Sequence, residues 1–297
     1  MNGAAPSPAP QATLAGAASP APVAGRRRSR WFNRSLGLGA AITLLLAAFC
    51  LIYPLASPWN PVDPDFTQPT FASPSLAHPL GTDNFGRDTL TRLAWGGRVD
   101  LTVAFTATLV TLVIGSLLGL LAGYRGGWID SVLMRFVDFT VTMPYLVLVI
   151  AVVAVLGPSQ WNIVYAIWLV GWVAYARIVR GETLIARNLE YVEAARVAGM
   201  SDARIMLRQI LPNVATAALV FAMADMVLNI LVASSLSFLG LGVQPPNPEW
   251  GLMVAEARDF FLRDWRLMTY PGLAVLIAGA GFGLIGDGLA QALRPKG

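Results

Sequence analysis

Three carboxylates stand within or beside stretches that are otherwise hydrocarbon: Asp138, Asp225 and Asp287. An ionised group there costs on the order of 3 kcal/mol unless it faces a partner or a water-filled path. Asp138 and Asp287 lie near the ends of their apolar runs, so structural pairing or snorkelling is expected of them, with Arg135 a candidate partner. Asp225 lies deeper. Asn229 follows one helical turn later on the same face, and Ser234, Ser235 and Ser237 extend the polar character. Asp225, Asn229, Ser234 and Ser235 are therefore read as a translocation path, with hydrogen bonding between helices as the alternative. Other chemistry is excluded by inventory. One cysteine (Cys50) and one histidine (His78) make neither a disulfide framework nor a Cys/His zinc cluster. The only lysine, Lys296, leaves no G-x-x-x-x-G-K-[ST] loop, so if ATP drives this chain another polypeptide hydrolyses it. No catalytic residue, metal site or bound cofactor is expected, and His78 is expected to be an exposed loop residue.

A second constellation runs from Ala186 to Asn213. It reads as two short amphipathic helices broken at Gly199, between two apolar segments. Arg187, Glu190, Glu193 and Arg196 recur at i+3 with ion-pair spacing. Tyr191, Ala194, Ala195 and Ala198 form a stripe of mostly small side chains, a surface that lets another protein approach the backbone closely. Gly199 suits the left-handed position that ends a helix, Ser201 or Asp202 is placed to cap the next, and Pro212 is expected to terminate it.

These residues must be held by long apolar elements. Of 297 residues 56% are hydrophobic and 13% charged, too apolar for a soluble protein. Six runs read as membrane-spanning helices: Leu36–Ala56, Leu101–Tyr124, Ser131–Leu156 with a packing bend at Met143-Pro144, about Trp161–Ala176, about Ala215–Leu239, and Tyr270–Leu293. Glycines at 115, 119 and 123 recur every fourth residue, a spacing that brings helices together in lipid, and the sixth run carries glycines at 279, 283 and 286. Residues 1–35, a Pro/Ala/Ser-rich stretch ending in an arginine cluster, are expected to be a disordered tail, and 36–297 a single transmembrane domain. Gly240–Met268 reads as a loop. With the N-terminus inside, fifteen of the 21 Lys and Arg residues face the cytoplasm and six face out, which places both termini and the 177–213 segment inside. Trp59, Trp95, Trp128, Trp161, Trp250 and Trp265 fall near span ends, as an aromatic belt would. The net charge of +4 follows from this arginine distribution rather than from a nucleic-acid surface.

Glu193-Ala194-Ala195, three residues, Gly199, then Leu211-Pro212 resembles the EAA loop of ABC-importer permeases, with Gln209 where the general pattern has Ile. Leu80-Gly81-Thr82-Asp83 with Gly86-Arg87-Asp88, and Leu236-Ser237-Phe238-Leu239-Gly240-Leu241-Gly242-Val243-Gln244-Pro245-Pro246 with Trp250-Gly251, resemble the C-type permease subunit of the dipeptide, oligopeptide and nickel importers. At the C-terminus the family's Gly-Asp-Gly-Leu-Arg-Asp-Ala-Leu-Asp-Pro is Gly286-Asp287-Gly288-Leu289-Ala290-Gln291-Ala292-Leu293-Arg294-Pro295 here, with charges lost. The resemblance implies an all-α type I ABC-importer fold in a bacterial or archaeal plasma membrane. It implies a homologous B-type permease, two ATPase subunits that bind ATP and Mg, and an extracytoplasmic solute-binding protein as partners. Glu190, Tyr191, Glu193, Ala194, Ala195, Ala198, Gly199, Ser201, Leu211 and Pro212 would then couple the chain to an ATPase, and the cargo would be a dipeptide or oligopeptide. The alternatives are a permease for nickel or another small solute, or an ion-driven secondary transporter using the three carboxylates.

Overall fold

The computed structural model describes residues 33–293. The tail expected over 1–35 falls almost wholly outside the described residues, as do Arg294 and Lys296. Among the described residues there are ten α-helices and no strand: α1 (Arg34–Ala56), α2 (Thr89–Arg125), α3 (Gly127–Val141), α4 (Tyr145–Leu156), α5 (Gln160–Ala186), α6 (Glu190–Val197), α7 (Asp202–Ile205), α8 (Leu211–Phe238), α9 (Trp250–Ala257) and α10 (Arg266–Leu293). Five helical stretches are long and apolar enough to cross a membrane, and a sixth is the bent pair α3–α4. Their outer surfaces carry exposed Leu44, Leu55, Phe136, Leu169 and Leu276, side chains that a bilayer solvates.

The closest packing is α2 against α5, through Gly115, Gly119 and Gly123 as the spacing predicts. A methyl on Gly123 would lie 2.7 Å from Thr183 Cβ and 2.9 Å from the Arg180 carbonyl. Gly279 and Gly283 on α10 make no such approach, and Gly286 only a looser one. Gly281 and Gly288 do instead, against α1: a Cβ on Gly288 would sit 2.6 Å from Leu36. Asn33 fixes this pair, capping α1 through the Leu36 amide (2.8 Å) and donating to the Gly288 carbonyl (2.9 Å).

Three local expectations are corrected. The bend at Met143-Pro144 is a full break of 85° between α3 and α4, because Pro144 has no N–H to donate and sits in extended backbone. Pro212 does not terminate a helix; it lies in the first turn of α8, within one continuous helical stretch, Asp202–Phe238. A π-helical turn at Met206–Ile210 precedes it, with the Leu211 amide bonded five residues back to Met206, and this wider turn accommodates the proline. The Gly240–Met268 loop contains α9, capped by Glu249, whose carboxylate accepts from the Gly251 and Leu252 amides, each at 2.8 Å.

At the same end of the molecule, Leu80–Asp88 is a folded knot rather than a connector. Asp83 accepts from the Phe85 and Arg87 amides and from Arg87 Nε (2.7 Å), and Asp88 caps α2 at Thr91. His78 is buried, not exposed: its Nδ1 lies 3.0 Å from Asp88 and its ring packs on Trp59. Trp250 is fully buried and donates to the Leu93 carbonyl (2.9 Å), so it is no part of an aromatic belt, whereas Trp128, Trp161 and Trp265 are well exposed.

Candidate functional site

The α6 helix is a short rod glued to the bundle along one edge. Val192 and Ala195 point inward and join a core of Ile205, Ile210, Val214 and Tyr124. Glu190, Tyr191, Glu193, Ala194, Ala198, Gly199 and Ser201 are exposed, as is Val197 at 90%; Leu211 is half-buried and Pro212 exposed. The small-residue stripe is therefore split: Ala195 belongs to the core and Ala194 and Ala198 to the surface. Gly199 has φ +76°, and the helix closes with Gly199 N–H donating to Arg196 and Met200 N–H to Ala195.

The charged stripe forms no ion pairs within itself among the described residues. Arg187 donates to the Gly123 carbonyl (2.8 Å), and Arg196 lies over the Tyr124 ring (5.4 Å). Ser201 caps α7 without a side-chain hydrogen bond, and Asp202 is held by Tyr124 Oη (2.9 Å) and approached by Arg125. The rod and the turn after it are thus bolted to the end of α2, the 37-residue helix Thr89–Arg125. The sequence missed Tyr124 and Val192 as anchors; an aromatic at a helix end beside Arg125-Gly126 was the available signal.

The second candidate set does not stay together. Asp225 Oδ2 accepts from Tyr175 Oη (2.9 Å) and Asn229 Nδ2 (3.2 Å), and Asn229 also donates to Thr108 (2.9 Å). Asp225 also borders a cavity of about 560 Å³ between the α3–α4 break, α5 and α8. Asn229 is fully buried behind it. Ser235 is exposed and bonds back to its own Leu231 carbonyl. Ser234 is engaged elsewhere, with Glu249 and Asp100, so neither serine belongs to the Asp225 cluster. Asp138 pairs with Arg177 (2.7 Å) rather than Arg135, Asp287 is exposed, and Arg180 holds Asp130 through two nitrogens.

Asp100 and Glu249 form a buried acid pair that the sequence did not suggest, because they lie 149 positions apart on α2 and in the outer loop. Both are fully buried and both converge on Ser234 Oγ, while Asp100 Oδ2 accepts from the Trp250 amide (3.1 Å). Two carboxyls this close repel one another whenever both are charged, and removing one charge relieves that repulsion. Asp100→Asn removes one of the two acids and keeps an acceptor for the Trp250 amide. It is expected to hold or raise the melting temperature of the purified protein at pH 8, whereas Asp100→Leu, which strands the Trp250 amide, is expected to lower it by about 1–3 kcal/mol of stability.

Comparisons with known proteins agree with this architecture. Residues 115–296 match the family described as binding-protein-dependent transport system inner membrane component. The chain is 41% identical over 265 residues (87% of this chain, 88% of the relative) to the di/tripeptide transport system permease protein DppC of Pseudomonas aeruginosa. It is 44% identical over 223 residues (75% and 74%) to the glutathione transport system permease protein GsiD of Pectobacterium atrosepticum. It is 38% identical over 264 residues (88% and 88%) to the probable D,D-dipeptide permease DdpC of Escherichia coli. Among solved structures it shares its fold with a chain of the MetNI methionine ABC transporter in inward-facing conformations, at TM-score 0.56 and 15% identity, over 69% of this chain and 97% of that one. The chain belongs to the binding-protein-dependent transport system inner membrane components, the permease subunits of ABC importers.

Proposed function

We propose that this chain is one of two permease subunits of an ATP-driven importer of short peptides, levered by ATPase subunits through α6. The observation that carries the coupling half is the rod itself: a helix anchored by Val192 and Ala195, presenting Glu190, Tyr191, Glu193, Ala194, Val197, Ala198 and the Gly199 turn to a partner. The peptide half is supported by the names of relatives that cover most of the chain. In this reading a second, B-type permease completes the path, two ATPases bind ATP and Mg, and a solute-binding protein delivers cargo to the opposite face. The arginine distribution supports cytoplasmic termini and a cytoplasmic α6. ATP binding closes the ATPases, and the spans tilt as rigid bodies between inward- and outward-open states.

Reconstitution tests this directly. The complex in proteoliposomes, supplied with ATP and its binding protein, is expected to accumulate radiolabelled trialanine. Uptake driven by a proton or sodium gradient without ATP would remove the coupling reading, and accumulation of nickel in place of peptides would reassign the cargo.

A further inference from the structure

We propose that Asp225 is the cargo-binding carboxylate of the translocation path, receiving the protonated amino group of a short peptide; the inference rests on the peptide-import reading above. Its two oxygens are used differently. Oδ2 is saturated by the Tyr175 hydroxyl and the Asn229 amide, which fix the carboxyl plane. Thr108 also stands within reach of the carboxyl, no closer hydrogen bond from a described residue reaches Oδ1, and the residue borders the 560 Å³ cavity.

The surroundings fit the same occupant. Asn229, which holds Oδ2 from one helical turn away, is fully buried and keeps the carboxyl fixed from behind. The Tyr175 ring that presents its hydroxyl to Asp225 is wedged edge-on against Phe221, 5.0 Å between centroids, so the donor cannot swing away. The wall also includes Met143, Pro144 and Tyr145 at the 85° break, Val170, Ala174 and Leu228, and Arg177, whose charge is paired with Asp138 (2.7 Å). The volume lies within the roughly 300–1,000 Å³ of small-ligand clefts. An ammonium brings a positive charge and three donors to the carboxyl, whereas an acylated nitrogen brings no charge and fewer donors.

The test uses the whole complex in proteoliposomes, with trialanine and N-acetyl-trialanine as probes and one binding protein throughout, so that its selectivity cancels. Asp225→Asn keeps an acceptor for Tyr175 and removes the charge; Asp225→Glu keeps the charge. Asn is expected to lower trialanine uptake about tenfold and leave N-acetyl-trialanine uptake at its wild-type level, while Glu restores at least half of the trialanine rate. Normal trialanine uptake in the Asn variant, or equal loss of both probes, overturns the assignment and leaves Asp225 a structural acceptor. A wild-type complex that imports neither peptide fails earlier, at the peptide reading, and takes the assignment with it.

Discussion

Valine at position 199 is expected to cut ATP-driven uptake at least tenfold while the complex still assembles and the binding protein still captures cargo. Gly199 has φ +76°, and no atom lies within 4 Å of where a Cβ would go. The penalty is therefore torsional: a left-handed backbone costs an ordinary residue about 1–2 kcal/mol, and a β-branched one more. The cheapest relief is to unwind the turn that Gly199 closes, losing the Gly199–Arg196 and Met200–Ala195 hydrogen bonds. That turn presents Ala194 and Ala198, so its loss blurs the surface proposed to meet the ATPase. Gly199→Asn, which tolerates the left-handed region, is expected to keep more than half of wild-type uptake. The ratio of uptake to ATP hydrolysis reads the difference, and a valine variant with the wild-type ratio would show that this turn transmits nothing.

How far the sequence reached depended on the range of the interaction. The number of spans, the Gly199 turn and the α2–α5 glycine seam are set by periodicity and local geometry, so they were legible, although α2 begins twelve residues before Leu101 and α5 runs ten beyond Ala176. The α6 face was half legible: helical spacing groups Ala194, Ala195 and Ala198, but only the tertiary fold decides that Ala195 turns inward with Val192. Arg187 and Arg196 have ion-pair spacing with Glu190 and Glu193, yet a carbonyl and an aromatic ring at the end of α2 hold them instead. The same limit explains the polar residues of α8. Asp225 and Asn229 share one cluster because they are four residues apart, whereas Ser234 answers to Asp100 and Glu249, which no local pattern connects. Pro144 and Pro212 look alike in sequence, yet one stands at a break and the other follows a π turn inside a continuous helical stretch.

Alanine at position 119 is expected to lower the melting temperature of the purified permease by about 5–10 °C, although it adds a single methyl group. A Cβ there would fall on the Ala176 carbonyl oxygen and lie 3.0 Å from both Ala176 Cα and Arg180 N. All three are backbone atoms of α5, so no rotamer change relieves the clash and the helices must separate. Overpacking of this kind costs about 1–3 kcal/mol, and for a chain of this size each kcal/mol moves the midpoint by roughly 2–4 °C. The displacement also reaches function, since α5 carries Tyr175 to Asp225 and Arg180 to Asp130. Gly283→Ala is the control within the same molecule. It has the same apparent packing spacing in sequence, but nothing lies within 4 Å of its added methyl. Alanine there costs no contact and restricts the unfolded chain, so stability is expected to hold or rise by about 0.4–1 kcal/mol. Thermal unfolding of the two variants in one detergent distinguishes a glycine that lets helices touch from one that merely faces lipid. Equal midpoints for both would mean that the α2–α5 seam has slack that its backbone contacts deny.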